Sequence, residues 1–132
     1  MKNIPENTLI VIADGEVAKL FKNTANNDVK IESLGDMNFD YLENKGPSTL
    51  PPETSDKETD EATLAKHIAT DLYKRAHEGQ FDNLVLVADP QTLGQIRANL
   101  HDEVIQKTIS EIPKTLTNST IDDIEKSLMA AA

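Results

Sequence analysis

Residues Asn83 to Ala88 read NLVLVA, and the run stops at Asp89-Pro90, where a helical pattern begins at once. A strand with no polar alternation buries both of its faces, so its sheet must be covered on each side, as around a central parallel strand. Asp89 is suited to cap the following helix by accepting from the Gln91 or Thr92 amide. Pro90 fits the first helical position, where its missing N–H costs little. The helix is expected over Thr92 to Leu100, with Leu93, Ile96 and Leu100 turned inward.

The rest of the chain supplies the cover. Upstream, Leu64, Ile68 and Leu72 recur every four residues beside Ala65, Ala69 and Ala76, one apolar stripe on a helix from about Asp56–Thr59 to Ala76–Glu78. Gly79 is its stop signal. The start reads as a hairpin, with a buried strand over Thr8 to Ala13, a turn at Asp14-Gly15 and a second strand over Glu16 to Lys22. A third strand follows the polar turn Asn23 to Asp28, with Val29, Ile31 and Ser33 on one face. DEVIQKTISEI suits either a helix or a strand, and a strand around Val104 to Ile109 is the favoured reading because Val, Ile and Thr dominate it. A last helix is expected from Ser119 or Thr120 to Met129, with Ile121, Ile124 and Leu128 inward and Asp122 and Asp123 at its positive end. The expected fold is α/β: a mixed sheet of about five strands, antiparallel at the start and then extended by α/β crossovers.

Between the third strand and the long helix the character changes. ENKGPSTLPPETSDKETDE carries Gly46, Pro47, Pro51 and Pro52 among acids, with too little apolar surface to offset the entropy of ordering it. It reads as a mobile polar loop at about 42–58 within a single domain of 132 residues. Lysine and arginine number 13 against 23 acids, a net charge of −10. Nucleic-acid affinity comes largely from cations that neutralise phosphates, so this balance argues against generic DNA or RNA binding and fits a protein partner. No apolar run approaches the length of a membrane span. The short apolar stretch Leu9 to Ala13, ending in Asp14, makes a poor signal peptide, and the chain has no Cys. Together these point to a cytoplasmic protein.

Candidate chemistry is sparse. The corner at Asp89 could use its helix N-terminus as an anion site, but it lacks a glycine-rich loop and a carboxylate already occupies the position. Capping is the stronger reading. Asp14 and Asp89 would both reach the carboxyl edge of the sheet if the first and fourth strands were parallel neighbours, and two carboxylates there could hold a divalent metal for phosphodiester chemistry. The bland alternative makes Asp14 a turn residue and Asp89 a cap. His67, His77 and His101 fall outside metal-ligand spacing and read as solvated, and no Ser or Thr sits in a GxSxG elbow. No cofactor motif is present.

Three stretches taken together, LIVIADGEVAKLF, FDNLVLVADPQTLGQIRANL and KTLTNSTIDDIEKSL, resemble the small host attachment protein family. That family is described as required for attachment to host cells and stands among the bacterial relatives of archaeal and eukaryotic release factors. The resemblance implies a release-factor middle-domain fold akin to a ribonuclease H-like motif. In release factors a Gly-Gly-Gln loop precedes the long helix and promotes peptidyl-tRNA hydrolysis on the ribosome. The segment at that place here contains no Gly-Gly-Gln, and Glu78-Gly79-Gln80 lies at the far end of the helix as a stop.

The expected function is therefore a non-enzymatic binding or regulatory protein, with a ribosome- or tRNA-associated factor and a metal-dependent phosphodiesterase as alternatives. The expected contact residues are Asp89, Pro90, Thr92, Gly94 and Arg97 at the corner, and Lys45 and Gly46 in the loop.

Overall fold

A computed structural model describes residues 4–14, 17–25, 28–36 and 57–131. Its strands are β1 (Leu9–Ala13), β2 (Ala18–Asn23), β3 (Ile31–Asp36), β4 (Leu84–Ala88) and β5 (Thr108–Pro113). The helices are α1 (Lys57–His77), α2 (Pro90–Asn99), α3 (Asp102–Lys107) and α4 (Ile121–Ala131). The five strands form one sheet in the order β3-β2-β1-β4-β5. β1 pairs antiparallel with β2 and parallel with β4, β2 pairs antiparallel with β3, and β4 pairs parallel with β5. The mixed five-stranded α/β sheet is the architecture expected from the sequence.

Every residue of β1 and of β4 is buried. Alternate side chains therefore feed two separate cores, as the period of two demands. Leu9, Val11, Leu84 and Leu86 pack with Ala65, Ile68 and Leu72 of α1, Leu93 and Ile96 of α2, and Val104 of α3. On the opposite face Ile10, Ile12, Val85 and Val87 meet Ile124 and Leu128 of α4 and Ile112 of β5. The unbroken apolar run in β4 is thus explained by helices on both sides.

The helix ends follow their local chemistry. Gly79 takes φ +74° after α1, its amide donating to the Ala76 carbonyl and the Gln80 amide to that of Arg75. This paired closure needs a left-handed residue, which glycine adopts without strain. At the start of α4, the Thr120 hydroxyl accepts from the Asp123 amide at 3.1 Å.

Three expectations need correction. Asp102 to Lys107 is a helix and the strand begins only at Thr108. Two acids in its first turn and Lys107 in its last complement the helix dipole, and the turn lets Val104 bury completely, which outweighs β propensity. Ile121 is 45% exposed rather than inward, because it opens α4 beside the cap, ahead of the turn that packs on the sheet. Ser33 is exposed while Val29 and Ile31 are buried, since β3 runs beyond the cover of α4. The histidines expected to be solvated also have neighbours: Tyr73 has ring centroids 5.9 Å from His77 and 4.1 Å from His101.

Most of the loop expected at about 42–58, with Lys45 and Gly46, lies outside the described residues, as does Gly15. Among the described residues no helix is long and apolar enough to cross a membrane.

Candidate functional site

β1, β4 and β5 run parallel, so their carboxyl ends open on the same edge of the sheet. Ala13 lies opposite Ala88 in the register, which places Asp14 and Asp89 side by side just beyond the strands. This is also where the strand order reverses: the chain builds outward through β2 and β3 on one side and through β5 on the other. In open α/β sheets such a crevice is the usual place for a ligand.

Both carboxylates have structural duties there. Asp89, half-buried, accepts from the Thr92 amide through Oδ2 at 3.1 Å and caps α2, with Pro90 at the first turn. The capping reading of the corner is therefore the one observed. Asp14 closes the β1–β2 turn, its Oδ1 accepting from the Val17 amide at 2.9 Å and its own amide donating to the Val17 carbonyl at 3.0 Å. Its other oxygen, Oδ2, accepts the Thr117 hydroxyl at 2.8 Å.

Thr117 comes from the connection between β5 and α4, and its carbonyl accepts from Lys19 Nζ of β2 at 2.6 Å. One buried threonine thus ties the ends of β1 and β2 to the last connection. Lys19 and Thr117 lie in two of the stretches that carry the family resemblance, but no local spacing marks them as partners. Their meeting depends on a fold that joins positions about a hundred residues apart. A threonine hydroxyl donating to a carboxylate has the form of an activated nucleophile, but Thr117 is only 2% exposed, which bars a substrate. Among the described residues no group of three or more acids or histidines is placed to hold a metal ion. The arrangement suits positioning better than bond-making.

The remaining corner residues divide by accessibility. Thr92 is buried, so it serves the cap and the core rather than a surface contact. Pro90, Gly94 and Arg97 are exposed and follow one another at i, i+4 and i+7 along one side of α2. A Cβ at Gly94 would meet nothing within 4 Å, so the glycine marks open surface and not a tight contact. Arg97 forms an ion pair with Glu111 of β5 and links the helix to the sheet edge.

Comparison with known proteins supplies the lineage. Residues 7–128, spanning all five strands, match the model of bacterial archaeo-eukaryotic release factor family 12. The uncharacterized protein RP470 of Rickettsia prowazekii (strain Madrid E) is 27% identical over 93 residues, covering 68% of this chain and 62% of that relative. The chain thus spans less than two thirds of the relative's length. By the extent of the family match, this chain belongs to bacterial archaeo-eukaryotic release factor family 12.

Proposed function

We propose that the chain acts by binding and not by catalysis, as a cytosolic regulatory or adaptor protein on a release-factor-related fold, with the ribosome as the partner to test first. The observation that carries this reading is the exposed stripe Pro90, Gly94 and Arg97 beside a carboxylate corner whose hydrogen bonds are internal to the protein. Such a corner offers a platform held in place by its own turn and cap. The family match supports a translational setting, while the missing Gly-Gly-Gln argues against peptidyl-tRNA hydrolysis. Lys45 and Gly46, outside the described residues, are further proposed contact residues. Attachment to host cells would be a downstream consequence of such binding.

The test is sedimentation of the protein with ribosomes from cell extract at moderate salt. The expected result is co-sedimentation that weakens at least tenfold in Gly94→Trp, which adds bulk to the open stripe without entering the core. A protein that stays in the supernatant removes the ribosome from this reading.

A second reading has one observation in its favour, the adjacency of Asp14 and Asp89 across the parallel β1–β4 register. It makes the edge a divalent-metal site for phosphodiester hydrolysis. Titration calorimetry with Mg²⁺ and Mn²⁺ decides it: binding must appear and must vanish in Asp14→Asn, and a flat titration of the unaltered protein ends the idea.

A further inference from the structure

β5 is the last strand of the sheet order, so among the described residues its outer edge has no strand beside it. An unpaired edge presents a row of backbone donors and acceptors to any extended chain that approaches. Next to this edge lies an open cleft of about 410 Å³, lined by Arg97, Ile105, Thr108, Ile109, Ser110 and Glu111.

The ladder explains the exposed apolar wall. Leu84 stands opposite Thr108, but Val85 stands opposite Ser110, so Ile109 is an extra residue bulged out of the pairing with β4. A bulge re-aims its side chain. Ile109 is 41% exposed, and Ile105 of α3, 46% exposed, lines the same cleft. Neither isoleucine belongs to the two cores.

The charges around the cleft restrict what would fill it. Glu111 lies in the cleft with its charge matched by Arg97, whereas Asp102 is exposed one helical turn before Ile105, on the same side of α3. The nearby cations are already engaged, Arg97 with Glu111 and Lys107 with Asp82 at 3.9 Å. The whole chain carries −10, which repels a second copy and draws in a basic chain.

We propose that the β5 edge is a docking surface for a basic, extended segment of a partner protein. The segment adds a strand beside β5, sets a branched aliphatic side chain against Ile105 and Ile109, and directs lysine or arginine toward Asp102. This mode takes affinity from main-chain hydrogen bonds and specificity from alternate side chains. It rests on the binding reading above and names the surface and the partner chemistry.

The probe is a capped hexapeptide of alternating lysine and valine, titrated into the full ¹⁵N-labelled chain. Saturable amide shifts are expected around Ile105 and Thr108 to Glu111. Affinity should fall at least tenfold for the glutamate–valine counterpart and for Ile109→Ser. Because Ile109 is outside both cores, that variant keeps its fold, which its amide spectrum reports directly; Ile105→Ser serves as an independent second variant. Shifts spread over the acidic surface and unchanged in Ile109→Ser would reduce the effect to general charge attraction and overturn the proposal, as would no shift at all. Concentration-dependent self-association lost in Ile109→Ser would overturn the choice of partner in favour of a second copy. A protein that sediments with ribosomes but ignores the peptide loses only this surface.

Discussion

The two ends of the sheet treat polar side chains in opposite ways. At the amino end of β1, Asn23 is fully buried, and its Nδ2 lies within donating distance of the carbonyls of Ile4, Pro5, Ala25 and Asp28, at 2.9 to 3.3 Å. Its Oδ1 accepts from the Lys30 amide at 2.9 Å. One amide side chain thus fastens the entering chain and the β2–β3 turn to each other. At the carboxyl end, Asp14 and Asp89 are half-buried, and their carboxylates bond to a local turn, a helix cap and one distant threonine. A saturated buried amide is costly to disturb, because its partners lose their bonds without gaining water. A half-exposed carboxylate can be replaced at lower cost, since solvent compensates. The difference separates a structural pin from a surface that is free to acquire a binding role.

Substitutions can break this contrast or sharpen it. Asn23→Ala should have the largest effect, a loss of about 3 kcal/mol in urea unfolding, as several buried carbonyls and the Lys30 amide lose their partner together. A loss below about 1 kcal/mol would mean that water reaches this end and that the contrast fails. Thr117→Val keeps the shape while removing the hydroxyl from Asp14, and should cost about 1.5 kcal/mol by the same measurement. Asp89→Ala removes the cap of α2 and should cost about 1 kcal/mol, with Asp89→Ser recovering most of it. Arg97→Gln should cost less than about 0.5 kcal/mol, because its side chain is 61% exposed and exposed ion pairs contribute little. If Arg97→Gln proved as costly as Asp89→Ala, α2 would be held to β5 by charge and the stripe would be structural.

Some of this arrangement is legible in local pattern. The four-residue spacing of Leu64, Ile68 and Leu72 marks the buried side of α1, and the unbroken run in β4 marks a central strand. Asp89-Pro90 identifies both the helix start and its cap, because the atoms involved lie within three residues. The helix at Asp102 to Lys107 is missed by β propensity, since a six-residue segment rich in Val and Ile satisfies either pattern until burial of Val104 decides. Asn23 carries no local signal at all: in a polar stretch such as NTANND it looks like one more turn residue.

The sequence by itself determines the elements and their buried sides, because these follow from periodicities of two and 3.6 residues and from capping chemistry within one turn. It also determines the acidity of the chain, and therefore the kind of partner it repels. Only the tertiary structure decides that β1 and β4 are parallel neighbours, so that Asp14 and Asp89 follow a paired position at one sheet edge, and that Thr117 reaches Asp14 across 103 positions. It alone turns Ile109 out at an open edge beside Ile105. Strand order and register emerge from closing two cores at once, and no local pattern records which strands must become neighbours for both to be dry.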